Sequence, residues 1–294
     1  MGNASELTKL FRDRRARVGF IGMGYVGFPM AMLAADQGFS VTGIDTDSER
    51  IAKIRRGESY IQDVSSDLVK GMVDMGRLRG TVDYSALKDV DVVVITVPTP
   101  LRKTGDPDMS FVLSAVESLR PHLHSGMLTV LESTTYPGTT KELFEPIIKD
   151  AELEVGKDIF VAFSPERIDP GNKEYTAQNT PKVVGGITQQ CTDVAGAFYG
   201  EIVDTVIPVT SCTVAEMVKL YENSFRAINI GLVNELAIVC RLLDVDVWEI
   251  IEAAKTKPFG FMGFYPGPGL GGHCIPVDPN YLSWKMRTLK YKTR

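Results

Sequence analysis

Apolar residues at 17–22 form a short run, Arg-Val-Gly-Phe-Ile-Gly, that opens onto glycines and predicts a buried parallel strand. Helical spacing follows from Tyr25 to Gln37, and Gly38 stops it. A second strand is predicted at 40–45, ending in Asp45. Asp47 then serves as N-cap of a helix over 47–56, with Arg50, Ile51 and Ile54 in register. Residues 90–97 are almost entirely β-branched, as suits a strand covered on both faces. Helices at 110–120 and 138–149 alternate with strands at 127–131 and 159–163, and 202–207 reads as one more strand. This alternation predicts an α/β fold, a doubly wound parallel Rossmann sheet. The segment before it, 1–16, is too charged for a signal peptide and reads as a frayed or helical lead-in.

Past residue 210 the period changes. Thr213 and Glu216 have the spacing of a capping box, in which Glu216 would return to the helix's own first turn. Apolar residues then recur at 214, 217, 221, 225, 228, 232, 236, 239 and 243, one continuous helical stripe. A helix over 213–243 would be about 30 residues, roughly 45 Å long. A second box, Asp246 with Glu249, opens a helix to 255, and 258–279 is a Gly/Pro-rich loop with aromatics. The expected organisation is a lead-in (1–16), a Rossmann domain (17–210) and an all-α central domain with one long helix (211–294). So long an apolar stripe needs cover, which predicts a homodimer through the 213–243 helix.

Composition narrows the function. The 294 residues carry a net charge of −5, which excludes a general attraction to nucleic acid or anionic membranes. No run of 18 apolar residues occurs, so no membrane span is predicted. Four scattered cysteines and three histidines show no metal-ligand spacing. No metal site is expected, and reduced thiols point to the cytoplasm.

Gly22-Met23-Gly24-Tyr25-Val26-Gly27 matches Gly-x-Gly-x-x-Gly between a predicted strand and a predicted helix. Gly22 would make the tight turn, Gly24 would let the backbone approach a pyrophosphate, and Gly27 would allow close helix–strand packing. The phosphates would rest on amides at the helix N-terminus. Asp45 ends the next strand, where a carboxylate accepts from ribose hydroxyls and repels a 2′-phosphate. Arg50 could accept such a phosphate, but the position of Asp45 favours NAD.

Cys274 ends a dense glycine loop, Gly267-Pro268-Gly269-Leu270-Gly271-Gly272-His273-Cys274. Such loops are entropically costly and occur where backbone passes close to a ligand, and a thiol at the end can be a nucleophile. Cys191, Cys212 and Cys240 read as small buried residues. Lys219 and Asn223, at i and i+4, share a helix face with Glu216 and Arg226, off the apolar stripe. By itself that face also fits a solvated polar surface.

The segments Val97–Leu101, Phe163–Gly171, Val214–Ala237 and Ala253–Pro279 resemble the UDP-glucose/GDP-mannose dehydrogenase family, over 17 to about 284. The forms Ser-Pro-Glu-Arg-x-x-Pro-Gly and Pro-Gly-Pro-Gly-Leu-Gly-Gly-His-Cys resemble its branch acting on N-acetylated sugars. The resemblance implies a four-electron, NAD-dependent oxidation of the C6 alcohol of a UDP-sugar, with UDP-N-acetylglucosamine expected and UDP-N-acetylmannosamine or UDP-glucose as alternatives. Cys274 matches the nucleophile that holds the aldehyde as a thiohemiacetal and then a thioester. Lys219 and Asn223 match the pair that stabilises oxyanions on C6, and Asp278 the group that positions or activates water. Thr134 and Glu166 match residues handling the hydrolytic water. Pro98, Thr99 and Thr134 match the NAD site, and Glu166, Arg167, Ile168, Arg226 and Gly271 sugar-nucleotide contacts. His273 is read as shaping the loop rather than donating protons. The resemblance also implies a further C-terminal unit gripping UDP, not contained in the 294 residues. A different class of reading therefore stands beside the enzyme: a truncated NAD-binding, self-associating module.

Overall fold

The computed structural model describes residues 2–168, 172, 174–272 and 274–293. The chain forms two compact units. The first comprises Met1–Pro100 with Asp108–Met217, the second Leu101–Pro107 with Val218–Arg294.

The first unit is built on an eight-stranded sheet. Its strands are β1 (Arg17–Ile21), β2 (Ser40–Ile44), β3 (Leu78–Thr81), β4 (Val92–Ile95), β5 (Leu128–Leu131), β6 (Phe160–Phe163), β7 (Lys182–Gly186) and β8 (Val206–Pro208), in the order β3-β2-β1-β4-β5-β6-β7-β8. The central strands β4, β5 and β6 are buried at every position, which is why they read as unbroken apolar runs. Helices α2 (Gly27–Asp36), α3 (Ser48–Arg55), α4 (Ser66–Asp74), α5 (Ser110–Leu119), α6 (Thr139–Asp150) and α7 (Gln189–Tyr199) complete the Rossmann-like layers. The lead-in is helical: α1 (Asn3–Arg12) buries Leu7 and Phe11, and the Phe11 ring lies 5.4 Å from Phe198 of α7. Asp47 caps α3 as expected, accepting from the amides of Glu49 and Arg50.

The sheet departs from the all-parallel expectation at one place. β7 pairs antiparallel with β6, Ala162 opposite Gly186 and Phe163 opposite Gly185, and β8 follows β7 in parallel. A parallel return needs a crossover, usually a helix. The connection 164–181 carries Pro165, Pro170 and Pro181 and lacks a helical apolar period, so no crossover helix is encoded. The last strand forms at Val206–Pro208, at the end of the expected 202–207. The sequence reading passed over α4, β3, β7 and α7. β3, Leu-Arg-Gly-Thr, is an edge strand with only two buried positions and gives almost no signal.

α8 (Cys212–Leu243) is the long helix, followed by α9 (Val247–Lys255) and α10 (Asp278–Thr288). Asp246 caps α9 through the amide of Trp248 at 2.9 Å. The Thr213/Glu216 capping box does not form. Ser211 stands before α8 and its Oγ accepts from the Val214 amide at 3.2 Å, while Thr213 is exposed. Glu216, fully buried, caps α6 instead. Its Oε2 accepts from Gly138 N at 2.6 Å, and its Oε1 accepts from Thr140 N at 2.8 Å and Thr140 Oγ1 at 2.7 Å. A carboxylate there meets the unpaired amides of a helix N-terminus. No described helix is long and apolar enough to cross a membrane.

Candidate active site

In the first unit the glycine motif sits between β1 and α2. Gly22 has φ +95°, open to glycine at little cost, and a Cβ there would meet the Thr96 carbonyl oxygen at 2.7 Å. A Cβ on Gly27 would collide with the Gly22 carbonyl and with Thr96 Oγ1. Beside Gly24 nothing lies within 4 Å of a Cβ. The first and third glycines therefore close the turn on the sheet, and the second leaves open the space a pyrophosphate would enter.

Asp45 is buried at the tip of β2. Its Oδ2 accepts from Met23 N at 2.8 Å and its Oδ1 from Asp47 N at 2.9 Å, while Arg50 Nη1 lies 3.4 Å from Oδ2. The acid thus ties the glycine turn to the second strand, with the candidate arginine ion-paired to it. Tyr60, absent from the sequence reading, donates to Met23 O at 2.6 Å and stacks on Phe28 at 4.6 Å. Burial, then the charge of Asp45, pushes the Tyr60 hydroxyl well above its ordinary pKa, so it stays a donor. A cleft of about 240 Å³ borders these groups, lined by Gly24, Tyr25, Asp47, Arg50 and Tyr60 among others. Tyr25 is 76% exposed, and Val26 precedes the first turn of α2. This cradle suits a dinucleotide: an open backbone approach at Gly24 and a fixed carboxylate where the ribose would lie.

The carboxyl ends of the next strands carry the other candidates of this unit. Pro98 is exposed and Thr99 half-buried beyond β4, and Thr134 is half-buried beyond β5. Glu166 follows β6. Its Oε1 accepts from the amides of Arg167 at 2.9 Å and Ile168 at 2.7 Å, and its Oε2 from Lys182 Nζ at 3.1 Å. Arg167 turns its guanidinium to the Pro181 carbonyl at 2.8 Å, and Ile168 packs partly buried against the core.

Lys182, Glu132 and Tyr199 were not singled out from the sequence. Lys182 Nζ also lies 3.0 Å from Glu132 Oε1, and Tyr199 donates to that same oxygen at 2.5 Å. Glu132 Oε2 has no hydrogen-bond partner among the described residues. Burial pushes the Glu132 carboxyl up, the Lys182 ammonium opposes this, and Glu166 adds to it. For Lys182 burial disfavours the charge, but the two carboxylates outweigh it and raise its pKa. A lysine opening an otherwise apolar strand, and a glutamate directly after another, were the available signals.

In the second unit α8 and α10 bring the catalytic candidates together. Asn223, buried, donates to Oδ2 of the equally buried Asp278 at 2.5 Å. The Cys274 carbonyl accepts from Val277 N at 3.0 Å and Asp278 N at 2.9 Å, so the cysteine stands one turn ahead of α10. The residue is exposed at its rim, yet protein crowds the thiol. That partial burial, then Asp278, raises its pKa, while Lys219 and Arg226 pull it down. Three side chains, Asp278, Lys219 and Arg226, therefore act on one sulfur. Gly271, with φ +72°, is exposed in the loop, and His273 lies outside the described residues. Asn234 of α8, another residue the sequence reading missed, holds the loop backbone. Its Oδ1 accepts from Gly267 N at 2.9 Å and its Nδ2 donates to Gly269 O at 3.4 Å.

Comparison with known proteins gives the family. The NAD binding domain of the UDP-glucose/GDP-mannose dehydrogenase family matches residues 16–203, and the central domain of the same family matches residues 213–294. The chain belongs to this family. The UDP-N-acetyl-D-mannosamine dehydrogenase of Methanococcus aeolicus is 39% identical over 266 residues, covering 89% of this chain and 59% of that protein. The UDP-N-acetyl-D-glucosamine 6-dehydrogenase of Pseudomonas aeruginosa is 36% identical over 277 residues, covering 94% of this chain and 64% of that protein. The structure of the UDP-D-ManNAc dehydrogenase of Pyrococcus horikoshii matches with a TM-score of 0.85 at 36% identity, over 90% of this chain and 63% of that one. The chain thus spans about three fifths of the length of these relatives. Mannosamine dehydrogenases recur among the relatives.

Proposed function

We propose that the chain carries the NAD-binding and catalytic domains of a dehydrogenase that oxidises the C6 alcohol of a UDP-N-acetylhexosamine to the carboxylate, with UDP-N-acetylmannosamine as the preferred sugar. The observation that carries this is Cys274, a crowded thiol under the opposed charges of Asp278, Lys219 and Arg226, in a family member whose other unit is an NAD-binding domain. The names of the mannosamine relatives support the epimer.

NAD, when bound, accepts the hydride of each of the two oxidations. The chain's own groups do the rest. Cys274 adds to the C6 aldehyde, retaining it and splitting a difficult oxidation into easier steps. Lys219 and Asn223 donate to the oxygen on C6 as negative charge develops, a kind of contact worth about 2.7–4 kcal/mol of transition-state stabilisation. Asp278 fixes Asn223 through their short hydrogen bond. Glu166, and Thr134 beside it in role, handle the water that releases the acid.

The α8 stripe supports self-association. Tyr221 and Ile228 are each 70% exposed and Leu232 66%. Apolar side chains in such a row are covered in a stable assembly, and we infer a homodimer through this helix. A second reading is an NAD-binding, self-associating module without turnover of its own.

The test is NADH formed per sugar consumed, with UDP-N-acetylmannosamine and UDP-N-acetylglucosamine in parallel. Two NADH and one uronic acid from the manno sugar, with slower gluco turnover, is the expected result. Equal or reversed preference refutes the epimer, and NAD binding without turnover on either sugar leaves the second reading.

A further inference from the structure

We propose that Lys182 is the positioning residue of Glu166: its ammonium grips Oε2 and, anchored on its other side by Glu132, holds the carboxylate in the orientation that activates water for thioester hydrolysis. This rests on the functional reading above, in which Glu166 serves the last step.

The placement follows from strand direction. β7 runs antiparallel to β6 with Phe163 opposite Gly185. Continued along both strands, that register sets residue 166 opposite residue 182. A parallel β7 would present its last residues at the carboxyl edge of the sheet, whereas the reversed strand presents its first. The direction of β7 therefore delivers a lysine to the edge where β5 and β6 release Glu132 and Glu166. Ser164 Oγ donating to Val183 O at 2.8 Å, and the Arg167 guanidinium on Pro181 O at 2.8 Å, tie the two segments on either side of the pair.

The contacts divide the work on Glu166. Backbone amides of Arg167 and Ile168 take Oε1, and Lys182 takes Oε2 at 3.1 Å. Both ends of the carboxylate are held, so it cannot rotate without breaking contacts. Lys182 is in turn held by Glu132 Oε1 at 3.0 Å and lies 5.3 Å from the Tyr199 ring centroid. All three supporting residues are at most 4% exposed. A buried ion pair contributes little net stability compared with apolar residues of the same volume. One carboxylate oxygen of Glu132 is even left without a partner among the described residues. The cluster is a poor way to stabilise a fold and a good way to orient one carboxylate, since second contacts lock a reacting group in place.

The step served is a hydrolysis. The water oxygen bonds to C6 while one water proton passes to Glu166. The C6–Sγ bond breaks with its electron pair leaving on Cys274, and the remaining acid proton returns to the thiolate. No electrons leave, so both NADH are formed before this step. Loss of the positioning residue should leave the two oxidations intact and slow only the release.

The test compares the unaltered chain with Lys182→Met and with the double variant Glu132→Gln/Lys182→Met. The double variant removes one charge of each sign and so keeps the net charge of the buried cluster, which protects folding. Rapid mixing with NAD and UDP-N-acetylmannosamine should give a burst of two NADH per chain at near-normal rate. The steady rate should then fall about a hundredfold, the scale of a misplacement of about 1 Å, with the acyl group retained on Cys274 by intact mass. Lys182→Arg, which keeps the charge, should recover part of the steady rate. A steady rate within threefold of the unaltered chain in the double variant overturns the role. Parallel loss of burst and steady rate, with NAD still bound, overturns it too, because Lys182 would then serve an earlier step or the fold. Absence of NADH from the unaltered chain overturns the functional reading and the role of Lys182 with it.

Discussion

Replacing Glu216 with alanine separates two accounts of the same sequence. Within its own helix, as a capping-box partner of Thr213, Glu216 would contribute at most about 1 kcal/mol, the usual worth of a cap. In the structure it satisfies Gly138 N, Thr140 N and Thr140 Oγ1 at the start of α6 while fully buried. Hydrogen bonds to a charged acceptor are worth about 1.5–3 kcal/mol each, and two buried amides would be left unpaired. Desolvation of the carboxylate offsets part of this, leaving an expected loss of about 3 kcal/mol. For a unit of this size that is roughly 6–12 °C in melting temperature. Urea unfolding followed by circular dichroism measures it, with Thr213→Ala expected within about 0.5 kcal/mol of the unaltered chain and Ser211→Ala about 1 kcal/mol lower as the true cap. The pH dependence supplies a sign. Burial holds the Glu216 carboxyl above its ordinary value. A raised folded value means the ionised carboxylate stabilises the fold less than the protonated one, an extra contribution that is complete below the unfolded value and is lost as pH climbs through the folded one. The gap between unaltered chain and Glu216→Ala should therefore be widest in weak acid and narrow toward neutrality. A loss under 1 kcal/mol for Glu216→Ala, matched by an equal loss for Thr213→Ala, would refute the assignment.

Three further outcomes are expected. Gly27→Ala forces a methyl against the Gly22 carbonyl and Thr96 Oγ1 and should weaken NAD binding at least tenfold, about 1.4 kcal/mol, by titration calorimetry; unchanged affinity would show that the turn can open freely. Crowding and Asp278 hold the Cys274 thiol above the ordinary cysteine value, so its alkylation rate should still be rising beyond pH 9.0, with the profile moving to lower pH in Asp278→Asn and higher in Lys219→Met; a profile indifferent to both changes argues against their action on the sulfur. Leu232→Glu places a charge in the exposed stripe of α8 and should convert a dimer to a monomer by light scattering, whereas a monomer before the change rules out the proposed interface.

What local pattern encodes, the sequence alone determined. The Val-Val-Val-Ile run at 92–95 and the Leu-Thr-Val-Leu run at 128–131 announce strands covered on both faces, because such burial favours runs with no exposed polar position. Gly22-x-Gly24-x-x-Gly27 with Asp45 announces a dinucleotide turn, because the tight geometry admits no side chain at the first and third positions. The spacing of Lys219 and Asn223 puts them on one face of α8 whatever that helix meets. What a residue meets across the fold, only the tertiary structure decided. Glu216 has capping-box spacing, yet spacing cannot tell whether its carboxylate serves its own helix or the end of another. Asn234 looks like any polar residue on a long helix until the loop at 267–269 lies against it. The direction of β7 is the clearest case. Alternation along a strand records which positions are buried, and it is the same whether the strand runs up or down. Only the folded sheet turns β7 around and so sets the ammonium of Lys182 between Glu132 and Glu166.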